Sequence, residues 1–114
     1  MHALNPDITV VIPNWNGLRW LPDCLAALEG QTCRPAEVIV VDNGSTDGSL
    51  DWLRARGAAL RLIALERNTG FAAAVNTGIR AAATPLVALL NTDTRAEPEW
   101  LERLRAALDG EGQP

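Results

Sequence analysis

VVDNGSTDGS, residues 40–49, combines three signals: an apolar β-branched run, a carboxylate directly after it, and a glycine-containing turn that leads into hydroxyl side chains. Apolar runs of this kind form strands that are buried on both faces of a parallel sheet. Asparagine, aspartate and glycine favour a tight turn, and serine favours the start of a helix. The stretch therefore predicts a buried strand, a turn and a helix, in that order.

The same order repeats along the chain. Four apolar runs have strand length, at residues 8–12, 37–41, 60–65 and 86–90. Apolar residues at helical spacing follow each run: Leu21, Leu25 and Leu28; Leu50 and Leu53; Phe71, Val75 and Ile79; Trp100, Leu104 and Leu108. Pro98 suits a first helical position, so we predict that the last helix begins there. Four β-α units joined by short turns predict an α/β fold with a doubly wound, mostly parallel, Rossmann-like sheet and helices on both faces.

Polar side chains follow all four predicted strands, at the edge where open α/β sheets bind their ligands. They are Asn14, Asn16, Asp42, Asn43, Ser45, Asn68, Thr69, Asn91, Thr92 and Asp93. Residues of these types also form turns and helix caps, so composition alone predicts only a ligand-binding α/β domain.

Two carboxylates narrow the ligand chemistry. Asp42, at the end of a buried strand, can accept a hydrogen bond from the imide N–H of uracil or thymine, or it can simply begin an Asx-turn. Asp93 is a lone carboxylate among short oxygen-bearing side chains, and Mg²⁺ takes one or two carboxylates together with phosphate oxygens. A nucleoside diphosphate with a bound metal ion would supply the base for Asp42 and the metal for Asp93. Asp47 and Ser49 are instead expected to cap a helix.

Four ordered segments carry a family resemblance: VIPNWN (11–16), VDNGSTDGS (41–49), NTGFA (68–72) with NTG (76–78), and LNTD (90–93). Together they resemble the amino-terminal, nucleotide-binding portion of a family 2 glycosyltransferase with the GT-A fold. Asn43, where many relatives have a second aspartate, resembles the rhamnosyltransferase-like branch and favours a dTDP-linked donor.

The resemblance implies a single nucleotide-sugar-binding domain over residues 1–114, with Asp93 as the ligand of Mg²⁺ or Mn²⁺. The implied nucleotide and donor contacts are Pro13, Asn14, Trp15, Asn16, Asp42, Asn43, Asn68, Gly70, Asn91 and Thr92. Asn91 replaces the first acid of the family's metal-binding Asp-x-Asp motif. The implied reaction is inverting transfer of a sugar from a dTDP- or UDP-linked donor to a glycan or lipid-linked acceptor in polysaccharide biosynthesis. The catalytic base and the acceptor-binding half are expected outside this chain, which would then be inactive alone.

Composition excludes several other classes of protein. The chain has a formal net charge of -4 and no lysine, which argues against nucleic-acid binding by a basic surface, Schiff-base chemistry, a P-loop and a receiver domain. The spacing of Cys24 and Cys33 matches no zinc site, and we predict free thiols rather than a disulfide. No signal peptide or membrane span is evident, so a cytoplasmic location is expected, peripheral to the inner face of the membrane in a full-length protein.

Three alternatives stay open at this point. A nucleotidyltransferase also uses a nucleotide-binding α/β sheet, but residues 13–17 lack its glycine-rich loop with arginine and lysine. A nucleotide-binding module without glycosyl transfer is the second, although no Gly-x-Gly-x-x-Gly follows any strand. The third is a homo-oligomer that buries the faces that the missing half would cover.

Overall fold

In the computed structural model, which describes residues 3–108, four strands alternate with four helices. The strands are β1 (Ala3–Asn14), β2 (Cys33–Asn43), β3 (Arg61–Leu65) and β4 (Leu86–Leu89); the helices are α1 (Leu21–Glu29), α2 (Ser49–Arg54), α3 (Phe71–Ala81) and α4 (Trp100–Ala106). A short 3₁₀ turn, Gly57–Ala59, follows α2. The predicted succession of four β-α units is confirmed.

The strands form one parallel sheet in the order β3-β2-β1-β4. From β1 the chain steps to β2 and then to β3, and it afterwards crosses back to place β4 on the other side of β1. The direction of the connections therefore reverses between β1 and β4, which is the switch point of a doubly wound sheet. The predicted fold class is confirmed.

The helices lie on both faces of the sheet. Leu21 of α1, Leu53 of α2 and Leu101 of α4 pack into one buried cluster with alternate residues of the central strands. On the opposite face, Ala74 of α3 packs against Val11 and other strand residues in a second, smaller cluster. Because helices cover both faces, the central strands are apolar on both sides, as the continuous apolar runs predict.

α3 approaches the sheet at a glycine. A Cβ on Gly78 would lie 2.4 Å from Cγ1 of Val11 and 3.2 Å from Cγ2 of Val41. Both valines are fully buried. Glycine at this position therefore sets the close distance between α3 and the two central strands.

The starts of β1, β2 and α4 differ from the predicted ones. β1 and β2 extend toward their amino ends, where Ala3 pairs with Cys33 in a stretch that the apolar runs do not include. The last helix begins at Trp100 rather than at Pro98, because the Pro98 carbonyl accepts a hydrogen bond from the Thr32 N–H (2.9 Å) and stays outside the helix. The polar, glycine-containing sequence of residues 109–114 predicts a frayed tail, and these residues lie outside the described part of the chain.

Two further expectations concern the cysteines and the membrane. Cys24 is buried, Cys33 is half-buried, and both are free thiols, as predicted. Over residues 3–108, no helix combines the length and the apolar character needed to cross a bilayer.

Candidate functional site

A cavity of about 240 Å³ opens at the carboxyl ends of β1 and β2 and at the start of α3. Its lining consists of Pro13, Asn14, Trp15, Asn43, Asn68 and Phe71. Five of these six residues are predicted nucleotide contacts, and the sheet order brings them together from three separate segments. A larger groove, of about 660 Å³, lies between α1 and α2 over the amino-terminal half of β2, away from the polar edge. We place the candidate site in the smaller cavity because the polar loops converge there.

Two exposed aromatic rings line the cavity. Trp15 follows β1 and is 55% exposed, and Phe71 begins α3 and is 59% exposed. Large apolar side chains that border a cleft with polar neighbours are typical of sites for flat, partly apolar ligands. The sequence did not predict Phe71 as a site residue, because its spacing to Val75 and Ile79 also fits a helix core. Its place directly after the Asn68-Thr69-Gly70 turn was the available signal.

Asp42 lies beneath the cavity rather than in its wall. The Asn14 amide donates to Oδ1 of Asp42 (3.0 Å), and the backbone N–H of Ser45 donates to Oδ2 (3.1 Å). Asp42 is only 1% exposed, so a base could reach this carboxylate only after its neighbours moved. In this structure Asp42 joins the loops that follow β1 and β2, and a contact with the base stays a prediction.

The loop after β1 is held by its own polar side chains. Asn16 adopts a positive φ of 51°, its N–H donates to Oγ of Ser45 (2.9 Å), and its Oδ1 accepts from the N–H of Thr46 (2.7 Å). Asn14 also donates to Oγ of Ser45 (3.3 Å). The predicted contacts Asn14 and Asn16 thus connect two loops of the site to each other.

One buried acceptor of this network has no hydrogen-bond partner among the described residues. It is Oδ1 of Asn14. A Cβ on Gly17 would lie 2.4 Å from this oxygen and 2.9 Å from Oγ1 of Thr92. Gly17 therefore lets the loop after β1 pass closely between Asn14 and the segment that follows β4, at the switch point of the sheet.

The loop after β3 is attached to the end of β2. Asn43 donates to Oδ1 of Asn68 and to the carbonyl of Gly70, each at 3.1 Å, and it accepts hydrogen bonds from the N–H and the hydroxyl of Thr69. Gly70, at a φ of 92°, then leads directly into α3. Asn68 lines the cavity, and Gly70 supports the turn behind it.

The third predicted group, Asn91, Thr92 and Asp93, follows β4 and does not line the cavity. Asn91 and Asp93 are exposed and Thr92 is half-buried. The Cys24 thiol donates to the backbone carbonyl of Asn91 (3.8 Å), so this segment lies beside the first turn of α1. Burial, and secondarily the charge of Asp93, raises the pKa of the Cys24 thiol to about 11. The group therefore borders the site on the far side of β1 from β2.

The side chains of the site can be compared with the ligands that the expected divalent ion would need. Within residues 3–108, no three histidine, cysteine, aspartate or glutamate side chains come together in a metal-binding cluster. One exposed carboxylate, on Asp93, with the side-chain oxygens of Asn91 and Thr92 nearby in sequence, suits an ion that takes its other ligands from phosphate and water. The donor set fits a metal shared with a diphosphate and does not fit an ion held by protein groups alone.

Asp47 and Ser49, both expected to cap a helix, lie on either side of Gly48, which is the N-cap residue of α2, so neither occupies the cap position itself. The Asp47 carboxylate accepts hydrogen bonds from the N–H and hydroxyl of Ser49 at the start of α2, and from the N–H of Leu18 (3.0 Å). Slight burial raises the pKa of Asp47, but the hydrogen bonds from Ser49 and Leu18 outweigh it, and the pKa lies below its usual value. Asp47 connects the starts of α1 and α2 rather than lining the cavity.

Fold and site together define an open, doubly wound α/β domain with a cavity among polar side chains at the carboxyl ends of its strands. The model of the family described as "Glycosyl transferase family 2" matches residues 9–113. The chain belongs to glycosyltransferase family 2, as the four ordered segments predict.

Comparison with a curated relative and two solved structures supports this assignment. Glycosyltransferase AglE of Haloferax volcanii is 35% identical over 117 residues, which cover 98% of this chain and 38% of that protein. The structure of residues 1–349 of S. aureus TarS in complex with UDP-GlcNAc matches with a TM-score of 0.79 and 25% identity, over 93% of this chain and 32% of that one. The mannosyltransferase PcManGT of Pyrobaculum calidifontis, in complex with GDP-Man and Mn²⁺, matches with a TM-score of 0.68 and 29% identity, over 78% of this chain and 28% of that one. The chain thus spans less than two fifths of the length of these relatives.

Proposed function

We propose that the chain is the donor-binding part of a glycosyltransferase and holds a nucleoside-diphosphate sugar at the carboxyl edge of its sheet. The base would lie in the 240 Å³ cavity between Trp15 and Phe71, and the diphosphate would extend toward Asp93. The observation that carries the proposal is the pair of exposed aromatic rings over a floor of asparagine side chains, directly at the end of the central strands.

The residues of the site supply two kinds of interaction. The faces of Trp15 and Phe71 stack on a flat base, a contact worth about 1–3 kcal/mol per base. Asn68 presents an amide at the same cavity, and amides read the edges of bases and the hydroxyls of ribose. UDP and dTDP are the proposed nucleotides. The two compared structures hold a uridine and a guanosine nucleotide sugar, so the base is a choice for experiment.

A divalent metal fits the proposal through Asp93. Its carboxylate would hold Mg²⁺ or Mn²⁺ together with the diphosphate oxygens, beside Asn91 and Thr92. When bound, the ion supplies positive charge against the negative charge that develops on the leaving diphosphate. Because Asn91 is uncharged, binding of the metal would depend on the nucleotide more than in a site with two carboxylates.

The reaction that we propose for the whole protein is transfer of the sugar, with inversion, to a hydroxyl of a glycan or lipid-linked acceptor in polysaccharide biosynthesis. Such a transfer needs a base that removes the proton of the acceptor hydroxyl. The site residues described here bind and orient the donor, and the base is assigned to a part of the protein outside this chain. Membership of family 2 argues against the nucleotidyltransferase alternative. We propose a cytoplasmic location at the inner face of the membrane for the full-length protein.

Calorimetric titration of the chain with UDP, dTDP and GDP, with and without Mn²⁺ or Mg²⁺, tests the proposal. We expect one nucleotide to bind and the metal to strengthen its binding. Replacing Trp15 or Phe71 with alanine should weaken binding about tenfold, which corresponds to about 1.4 kcal/mol of lost stacking. Asp93→Asn should remove the effect of the metal while leaving most of the nucleotide affinity.

Ile79→Ala is the matched control for Phe71→Ala. Both side chains are large, apolar and exposed on α3, but Ile79 lies two turns away from the cavity. The control should bind the nucleotide as tightly as the unmodified protein. An equal loss in both variants would show that stacking at the cavity is not the cause, and a folded chain that binds none of the three nucleotides would refute the proposed function.

A further inference from the structure

The side chain of Asn43 uses its whole hydrogen-bonding capacity on other protein groups. It is 4% exposed at the end of β2. Its two N–H groups donate to Asn68 Oδ1 and Gly70 O, and its oxygen accepts from the N–H and the hydroxyl of Thr69, at 2.9 and 3.0 Å. A primary amide offers two donors and two acceptor lone pairs. No capacity is left for a hydrogen bond to a nucleotide.

The segment that Asn43 holds determines where α3 begins. Asn68 Oδ1 also accepts from the Gly70 N–H (2.8 Å), which closes the turn, and Gly70 is followed directly by Phe71. The backbone of Gly44, directly after Asn43, also lies close to this turn. A Cβ on Gly44 would lie within 2.5–2.7 Å of backbone atoms of Arg67 and Asn68. The turn over residues 67–70 is thus fixed against the end of β2, and the start of α3 is fixed with it.

We propose that Asn43 is a positioning residue for nucleotide binding, which holds the Asn68–Gly70 turn so that Phe71 faces Trp15 across the cavity. The inference rests on the proposed function, and it differs from the contact that the family resemblance implies for this position. It also explains why an amide is needed in this chain. A carboxylate would keep the acceptors for Thr69 but would place negative oxygen against Asn68 Oδ1 and the Gly70 carbonyl.

The first test is Asn43→Asp, titrated with UDP, dTDP and GDP at pH 7.5 and pH 5.5. Loss of two hydrogen bonds in the turn should weaken binding about tenfold at pH 7.5, by a similar factor for each nucleotide that binds. Burial beside acceptor oxygens raises the pKa of the introduced carboxyl group, so part of it regains a proton at pH 5.5. The variant should then recover about threefold in affinity relative to the unmodified protein at the same pH.

The second test measures the turn without any nucleotide. Backbone amide hydrogen exchange over residues 68–71 should accelerate in Asn43→Asp, while exchange in the central part of β1 stays unchanged. Thr69→Val is a milder variant, because it removes only the hydroxyl that donates to Asn43. It should preserve the fold and weaken nucleotide binding about two- to threefold.

Asn76→Asp is the matched control. It makes the same chemical change at an exposed position in the middle of α3, so affinity and exchange should match the unmodified protein. Unchanged affinity at pH 7.5, or unchanged exchange over residues 68–71, in folded Asn43→Asp would overturn the inference. A loss confined to one base would also overturn it, because that pattern indicates direct contact with the base. If the unmodified chain binds no nucleotide, the proposed function fails, and the exchange experiment alone decides whether Asn43 holds the turn.

Discussion

Replacing Gly78 with alanine should destabilise the protein, although alanine is the better helix former. The added methyl group would lie 2.4 Å from Cγ1 of Val11, whereas carbon atoms in ordinary contact are about 3.5–4 Å apart. Val11 is fully buried and β-branched, so it cannot rotate away. α3 would have to retreat from the sheet by about 1 Å.

Two opposing effects set the magnitude. Gly→Ala in a helix interior gains about 1 kcal/mol of helix propensity. Overpacking a close-packed core costs about 1–3 kcal/mol, and in this part of the fold the crowding involves Val41 as well as Val11. Because two buried side chains are crowded, we take the upper part of that range, about 2–3 kcal/mol. We therefore expect a net loss of about 1–2 kcal/mol in the free energy of unfolding and a fall of about 5–10 °C in Tm.

Thermal and urea unfolding followed by circular dichroism measure this effect. Gly30→Ala is the control, because its Cβ would meet only the Ala26 and Ala27 carbonyls at ordinary distances of 3.7 and 3.8 Å. The control should be neutral or slightly stabilising. Nucleotide affinity of Gly78→Ala should fall too, since Phe71 moves with α3. A Gly78→Ala protein as stable as the unmodified chain would refute the close approach of α3 to the sheet.

Three further predictions concern the edge of the sheet and its surroundings. Gly17→Ala would crowd Oδ1 of Asn14 at 2.4 Å, so nucleotide affinity measured by calorimetry should fall at least about fivefold, and unchanged affinity would contradict the close passage of this loop. Because hydrogen bonds lower the folded-state pKa of Asp47, its stabilising contribution is present above the unfolded-state pKa of about 3.9 and is lost as the pH falls through the folded-state value. The difference in urea midpoint between the unmodified protein and Asp47→Asn should therefore shrink from pH 7 to pH 3, and a constant difference would count against this role. Burial and a neighbouring carboxylate raise the pKa of Cys24 to about 11, so iodoacetamide at pH 8 should label Cys33 first, as followed by peptide mass spectrometry, whereas equal rates would contradict the burial of Cys24.

The positions of the four strands in the sequence could be predicted, because a parallel strand that is covered on both faces must be apolar at almost every position. Residues 37–41 show this pattern clearly. The pairing of Ala3 with Cys33 could not be predicted in the same way, since it depends on backbone hydrogen bonds that place no demand on side-chain polarity. The start of α4 at Trp100 rather than at Pro98 could not be predicted either, because the Pro98 carbonyl binds Thr32, which lies far away in sequence.

The location of the site followed from sheet topology, but its internal contacts did not. Asn14, Asp42 and Asn43 all stand at strand ends, so their presence at one edge is a consequence of parallel strands. Which of them bind each other depends on the register between strands and on loop conformation. Asn14 donates a hydrogen bond to Asp42, 28 residues away in sequence, and neither spacing nor composition predicts that contact. Phe71 was not predicted as a site residue, because the four-residue spacing of Phe71, Val75 and Ile79 does not distinguish a residue that faces the core from one that lines a cavity.

The position of β1 between β2 and β4 has a consequence for synthesis in the cell. β1 leaves the ribosome before the other three strands, but β4, one of its two partners, leaves last. Ile8 cannot meet Leu86 until the whole segment between them has been translated, which takes about 4–15 s at ordinary elongation rates. During that interval the edge of β1 that faces β4 in the finished sheet has no partner and can pair with other nascent chains. Of the two central strands of the finished sheet, β1 is therefore the one that waits longer for protection from aggregation.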